Sequence, residues 1–246
     1  MPAAVASRVS TWLVGTVVSV EAANDHARVI MIDVPGWPGS QPGQHLDLRL
    51  TAEDGYQAVR SYSIASYGPG PVVELAVDEY AAGEVSPYLV REVRAGDLVE
   101  VRGPIGRYFV WSPQQSDPLQ LIAGGSGIVP LVAILRAHRA AGSTAPFRLL
   151  YSVRTHEDAL YAEEISAAAD DHLRVDWLYT RRAPEGVGRR PRRIDTEILS
   201  TDVIKATERP LVYVCGPTGF VETVAGTLVA LGHEPARIRT ERFGGA

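Results

Sequence analysis

Apolar and polar residues alternate with a short period through the first half of the chain. Residues 11–20 (TWLVGTVVSV) and 27–34 (ARVIMIDV) are rich in Val and Ile and bounded by turn formers, which predicts strands. Pro35, Gly36, Pro38, Gly39, Pro42 and Gly43 make the next stretch a loop. More short strands are predicted at 45–50, 59–65, 72–78 and 97–102, with one helix from Glu84 to about Val93. Short strands punctuated by Gly and Pro predict an antiparallel barrel or sandwich.

The rhythm then changes. An apolar strand at 118–123 runs into Gly124-Gly125-Ser126-Gly127, and a helical stretch follows over 128–141. Strands at 147–153, 173–179, 211–215 and 237–243 alternate with helical segments at 158–169, 195–200 and 218–231. Strand–helix alternation predicts a parallel sheet with helices on its faces. Ser, Pro and Gln cluster between Trp111 and Asp117, which places the boundary there. The predicted architecture is a β barrel in residues 1–114 followed by an α/β nucleotide-binding domain in 115–246.

Composition narrows the chemistry. At 246 residues, 46% of them hydrophobic, the chain can bury the cores of two domains. A net charge of -5 argues against a general nucleic-acid binder. The single cysteine, Cys215, allows no internal disulfide, no four-thiolate iron–sulfur cluster and no Cys-rich zinc site. No metal site is expected. Met1 to Ser10 does not read as a signal peptide, and no apolar run nears the roughly 20 residues of a spanning helix. The expectation is a cytoplasmic protein that does not enter membranes.

Several motifs carry chemistry. Arg60-Ser61-Tyr62-Ser63 closes a strand. A guanidinium suits phosphate oxygens, a tyrosine face suits a flat ring, and a serine hydroxyl both donates and accepts. Gly83-Glu84-Val85-Ser86 precedes a helix, where backbone N–H groups favour an anion, although a plain N-cap has the same composition. Gly103-Pro104-Ile105-Gly106-Arg107-Tyr108-Phe109 reads as a turn leading into a strand. Gly125, Ser126, Gly127 and Pro130 form a Gly-rich strand-to-helix turn able to meet a pyrophosphate, without the Gly-x-Gly-x-x-Gly spacing. Cys215-Gly216-Pro217 stands at a strand's carboxyl end, where parallel sheets bind ligands, yet a lone cysteine on an apolar strand also serves as core filler. Glu241 and Phe243 lie near the end of the chain.

Taken in this order, from Val14 to Phe243, the motifs resemble those of the ferredoxin–NADP reductase family. The resemblance implies an oxidoreductase with a flavin-binding barrel and a pyridine-nucleotide domain. It implies that Arg60 holds the flavin's phosphates, that Tyr62 stacks on the ring, and that Ser63 bonds near its reactive nitrogen. Val77, Gly83, Val85 and Ser86 then border the flavin, with Phe243 covering its face. Val77-Asp78-Glu79 lacks the Lys or Arg common in relatives. The Gly103–Phe109 stretch closes the flavin domain. Cys215, Gly216 and Pro217 would seat the nicotinamide, with the thiol not a nucleophile, while Glu241 assists proton and electron transfer. FAD is the implied cofactor, with FMN left open.

The coenzyme and acceptor are read more loosely. Six arginines, Arg181, Arg182, Arg189, Arg190, Arg192 and Arg193, follow Thr180, and Arg154 lies after the preceding strand. They read as a pocket for the 2′-phosphate of NADP, with Arg154, Thr180, Arg181 and a second arginine, Arg189 or else Arg190, Arg192 or Arg193, as the contacts, as a docking patch for an acidic carrier, or as a solvated basic loop. NADP(H) is expected over NAD(H). Without a cluster of its own, the chain exchanges electrons with an external carrier, a ferredoxin first, and transfer in the reverse direction, making NADPH, reads equally well. A diaphorase or flavin reductase, or an electron-transfer subunit active only in a complex, are the other readings.

Overall fold

The computed structural model describes residues 11–244; the predicted absence of a signal peptide concerns residues 1–10, outside them. Six antiparallel strands come first: β1 (Leu13–Asn24), β2 (Ala27–Asp33), β3 (His45–Thr51), β4 (Gln57–Ser63), β5 (Val72–Asp78) and β6 (Leu98–Ile105). They pair in the order β4-β3-β6-β1-β2-β5. The two edge strands meet where Ile64 bridges Leu75 and the Ala65 N–H donates to the Glu74 carbonyl at 2.8 Å, so the sheet curls into a barrel. The period of two turns Ile30, Ile32, Leu46, Leu48, Leu75, Val99 and Val101 inward. Helix α1 (Ser86–Arg91) buries Leu89 and Val90 against this core.

The second sheet is parallel, ordered β11-β10-β7-β8-β9, from β7 (Leu119–Gly124), β8 (Phe147–Val153), β9 (Leu173–Tyr179), β10 (Leu211–Pro217) and β11 (Ile238–Phe243). Helices α2 (Ile128–Ala140), α3 (Ala162–Ala168), α4 (Thr196–Thr201) and α5 (Thr218–Ala230) connect the strands. Strand parity sorts the side chains into two layers. Leu121, Ala123, Leu149, Tyr151, Tyr213 and Cys215 face one side, and Ile122, Leu150, Leu178, Val212 and Val214 the other. The first layer is continuous with Ala27, Ala65 and Ala76 of the barrel. Three alanines on that face let the two halves approach closely. Parity alone therefore aims Cys215 toward the barrel.

No described helix is long and apolar enough to cross a membrane. Two predicted elements differ. The helix predicted from residue 158 begins only at Ala162, because Tyr161 takes a left-handed φ of 57° and Asp158 binds the Thr155 N–H and hydroxyl. The Gly103–Phe109 stretch is not all turn: β6 continues to Ile105 and turns at Gly106, and Phe109 packs edge-on against Tyr213 with centroids 5.2 Å apart.

Candidate functional site

The chain runs β7, β8 and β9 outward and then returns to lay β10 beside β7, which opens a crevice at their carboxyl ends. Gly124 and Gly216 face each other there. A Cβ on Gly216 would lie 3.2 Å from the Gly124 Cα, and one on either glycine would lie 2.8 Å from the Phe220 ring. Gly125 has φ 55°, and Gly127 packs so tightly that its Cβ would overlap the Cys215 carbonyl. No side chain caps the Gly125–Gly127 turn or the start of α2, where Pro130 is buried and Ser126 half-buried. Uncapped N–H groups at a helix start are free to meet an anion. Gly127→Ala should cost about 1–3 kcal/mol, since the overlap is with backbone that cannot rotate away. Thermal unfolding measures it, and an unchanged Tm would show that the turn tolerates the methyl group.

The barrel contributes the facing wall. Ser63, at the end of β4, pairs in register with His45 of β3, which also pairs with Ile105 of β6. Tyr62 is half-buried, and burial pushes its hydroxyl above the usual tyrosine range. Arg60 is exposed, with Nη2 3.3 Å from Glu84 Oε2. Ser86 is buried, and its Oγ accepts the Tyr80 N–H at 3.0 Å. Val77 and Val85 put their side chains into the barrel core, each 1% exposed, so any contact they make with a ligand is through backbone. Gly83 has little room for a Cβ, which would lie 3.0 Å from the Tyr80 carbonyl and 3.3 Å from Ser86 Oγ.

The two walls meet at Glu241. It lies in register with Cys215 across β10 and β11, and its Oε1 is 3.7 Å from His45 Nδ1. Its Oε2 is buried with no hydrogen-bond partner among the described residues. Burial raises the carboxyl from the ordinary 4.5 to about 7, an effect the nearby Ser63 hydroxyl opposes. Burial also pushes the Cys215 thiol well up, with the Glu241 charge adding to it, so the thiol stays protonated and is no nucleophile. Burial lowers His45, whose ring is therefore neutral at pH 7. Phe243 pairs with exposed Pro217 and packs half-buried against the core shared by both halves. His45 had no sequence signal, since a lone histidine in HLDLRL reads as an outward strand position; only the register with Ser63 reveals it.

The arginine-rich segment divides. Arg189 pairs with buried Asp202, Arg192 with Asp195 and Glu197, and Arg182 with Glu157. Arg189, one of the arginines expected at the phosphate, has its guanidinium on the Asp202 carboxylate in this structure. Thr180 and Arg181 donate their N–H groups to Val153 and Arg154, which brings the ends of β8 and β9 together. The side chains of Arg154 and Arg181 are exposed and make no hydrogen bond or ion pair among the described residues.

Known proteins share the two domains. Residues 16–110 match the oxidoreductase FAD-binding domain family, and residues 121–226 match the oxidoreductase NAD-binding domain family. The ferredoxin–NAD(P)+ reductase component of a naphthalene 1,2-dioxygenase system from Pseudomonas putida is 27% identical over 93% of this chain and 68% of its own length. NADH-cytochrome b5 reductase 1 of Kluyveromyces lactis is 30% identical over 79% of this chain and 70% of its own. The crystal structure of the FAD/NAD-binding domain of a Vibrio cholerae nitric oxide dioxygenase superposes with a TM-score of 0.83 at 25% identity, covering 95% of this chain and 99% of that one. An antiparallel barrel facing a parallel sheet, with both domain families matched in that order, makes this chain an FAD- and NAD-binding oxidoreductase of the ferredoxin–NADP reductase family.

Proposed function

We propose that the chain takes electrons from NADPH through FAD to an external one-electron carrier, a ferredoxin in the first instance. The observation that carries this reading is the meeting of Ser63, His45, Cys215 and Glu241 from opposite walls of one cleft. The residues present fit a bound flavin: Arg60 and the uncapped α1 start would hold its phosphates, and Tyr62 would offer its ring a face. The Gly125–Gly127 turn and Gly216 would hold the coenzyme, with Cys215 at the nicotinamide. FAD, when bound, accepts a hydride and releases electrons singly or in a pair. The residues position the reactants and move the proton that remains when the electrons leave. Ser63 would relay that proton, its Oγ accepting one as its own hydroxyl proton passes to the Glu241 carboxylate, on the way to solvent.

Relatives named as ferredoxin–NAD(P)+ reductase components of dioxygenase systems support the ferredoxin. Those named as cytochrome b5 reductases favour a second reading, with a haem protein as acceptor. Steady-state turnover of the FAD-loaded protein with a ferredoxin, a cytochrome b5 and an artificial dye separates them. A ferredoxin rate no higher than the other two would reject the ferredoxin.

Exposed Arg181 beside Thr180, with Arg154 adjacent and neither side chain paired among the described residues, supports NADPH over NADH. One or two charge-assisted bonds, less the hydration both partners lose, predict a preference of roughly tenfold to several hundredfold. Arg181→Ala should erode it through the KM for NADPH, with NADH kinetics little changed. The preference should also shrink at high salt. Equal efficiency with both coenzymes in the unmodified protein would reject this assignment.

A further inference from the structure

A second set of charged groups joins the two halves away from the cleft. His26, in the turn between β1 and β2, lies between two carboxylates. Its Nδ1 is 2.8 Å from Asp78 Oδ1 at the end of β5, and its Nε2 is 3.0 Å from Asp158 Oδ1 in the segment between β8 and α3. A neutral imidazole carries one N–H, so it can donate to only one carboxylate and would turn a lone pair toward the other. Both contacts are satisfied at once only by the imidazolium. Asp158 is itself fixed, since its Oδ2 accepts the N–H and hydroxyl of Thr155 at 3.0 and 2.9 Å. The arrangement thus ties the barrel to the segment that leaves the carboxyl end of β8, on the rim shared with Gly124.

Other charges around His26 do not compete for it. Glu79 of β5 is held by Arg91 of α1. Arg28 donates to the carbonyls of Asn24 and Ala27. Asp25 and Arg154 share the surrounding pocket and bear opposite charges. Burial pulls the His26 ring down, and the bonds to Asp158 and Asp78 outweigh it, which leaves the group above its ordinary 6.5.

A second tie lies along the same interface. Arg136 of α2 binds Glu74 of β5 at 2.8 Å and Glu164 of α3 at 2.7 Å, and Tyr161 donates to Glu74 at 2.7 Å. Glu74 and Asp78 lie four residues apart on one face of β5. Ala76 lies between them and is buried in the core shared by the halves. The halves are also joined nearer the cleft, where Phe109 packs on Tyr213 and the Tyr213 hydroxyl donates to the Val110 carbonyl at 2.8 Å. Release of the His26 tie therefore leaves the halves attached and loosens the segment after β8 locally.

We propose that His26, as an imidazolium bridging Asp78 and Asp158, is a positioning residue that docks the nucleotide-binding half against the barrel and so sets the alignment of coenzyme and flavin. The proposal rests on the flavin and coenzyme sites assigned above. Hydride transfer needs the reacting atoms within about 3–3.5 Å, and small displacements cost large factors in rate. The tie is complete below the ordinary histidine range and is lost as pH rises through the raised value of His26.

The test compares the full chain with His26→Gln, which keeps bulk without the cation, and His26→Lys, which keeps a cation at all working pH. Hydrogen exchange of residues 154–161 is read without added flavin, comparing proteins at the same pH. At about pH 6, His26→Gln should exchange about tenfold faster than the unmodified chain, one charge-assisted bond having been lost. At about pH 9 the two should match, and His26→Lys should stay protected at both. With FAD loaded, His26→Gln should lower the limiting rate of flavin reduction about tenfold at pH 6 with the KM unchanged, and lysine should restore it. Asp158→Asn, in which the Arg136 tie persists, should behave like His26→Gln. Equal exchange at pH 6, a gap that persists at pH 9, or no rescue by lysine would each overturn the clasp. An unmodified chain that takes up no flavin would instead overturn the functional reading, leaving the exchange result to stand alone.

Discussion

Glu241→Gln is expected to slow turnover with a one-electron acceptor by about a hundredfold, near the lower end of what a positioned acid or base contributes. Flavin reduction by the coenzyme should change much less. A hydride brings its own proton into the site, whereas passing electrons onward leaves a proton that must depart. The buried carboxylate of Glu241, with Ser63 near it and Oε1 3.7 Å from His45 Nδ1, is placed to receive it. Receiving a proton requires the carboxylate, so turnover of the unmodified protein should rise as pH passes upward through about 7, the value to which burial raises this carboxyl. Glutamine should flatten that profile. The same substitution has a stability signature of known sign. A carboxyl whose folded value lies above its unfolded one favours folding fully at pH below about 4.5, and that contribution is lost as pH rises through about 7. At about 1.4 kcal/mol per pH unit, the ionised form costs about 3 kcal/mol above that point. Glu241→Gln should therefore raise Tm relative to the unmodified protein at pH 9 and change it little at pH 5. A pH-independent Tm difference, or turnover at the original rate, would remove Glu241 from the proton path.

Arg60→Ala should weaken FAD retention by about tenfold to a hundredfold, the loss of one charge-assisted contact with phosphate. Arg60 is exposed at the barrel mouth, and its only carboxylate contact among the described residues is Glu84 at 3.3 Å, across solvent where such a pair is weak. Its guanidinium is thus available to a phosphate. Ser63→Ala supplies the contrast, because it removes a hydroxyl at the reacting end and leaves the phosphate grip intact. Flavin should stay bound while reduction slows. Equilibrium dialysis of FAD and anaerobic stopped-flow reduction separate the two. If both variants kept flavin equally and reduced at the original rate, the roles given to β4 would be wrong.

Much of this was legible in the sequence because the physics was local. A period of two bounded by Gly and Pro specifies barrel strands such as 27–33, and the apolar run into Gly124 specifies β7 and the turn after it. The order of the motifs then named the family, and Cys215 could be placed at a strand end. The residues that escaped are those whose meaning depends on what lies across from them. His45 is ordinary until β3 and β4 are set in register, and His26 and Asp158 are unremarkable until two halves of the chain meet. The pairing of Arg189 with Asp202 was hidden in the same way, since Asp202 lies 13 residues away along the chain. The late start of α3 turned on a left-handed Tyr161, a residue type that gives no warning of such a conformation.

The most direct test of the account is an anaerobic titration of the purified chain with NADPH and with NADH, followed by its visible spectrum. The account predicts a yellow protein with equimolar FAD and no iron, bleached by about one coenzyme per flavin, at lower concentration of NADPH than of NADH. A protein that takes up no added flavin, or a bound flavin that neither coenzyme bleaches, would contradict it.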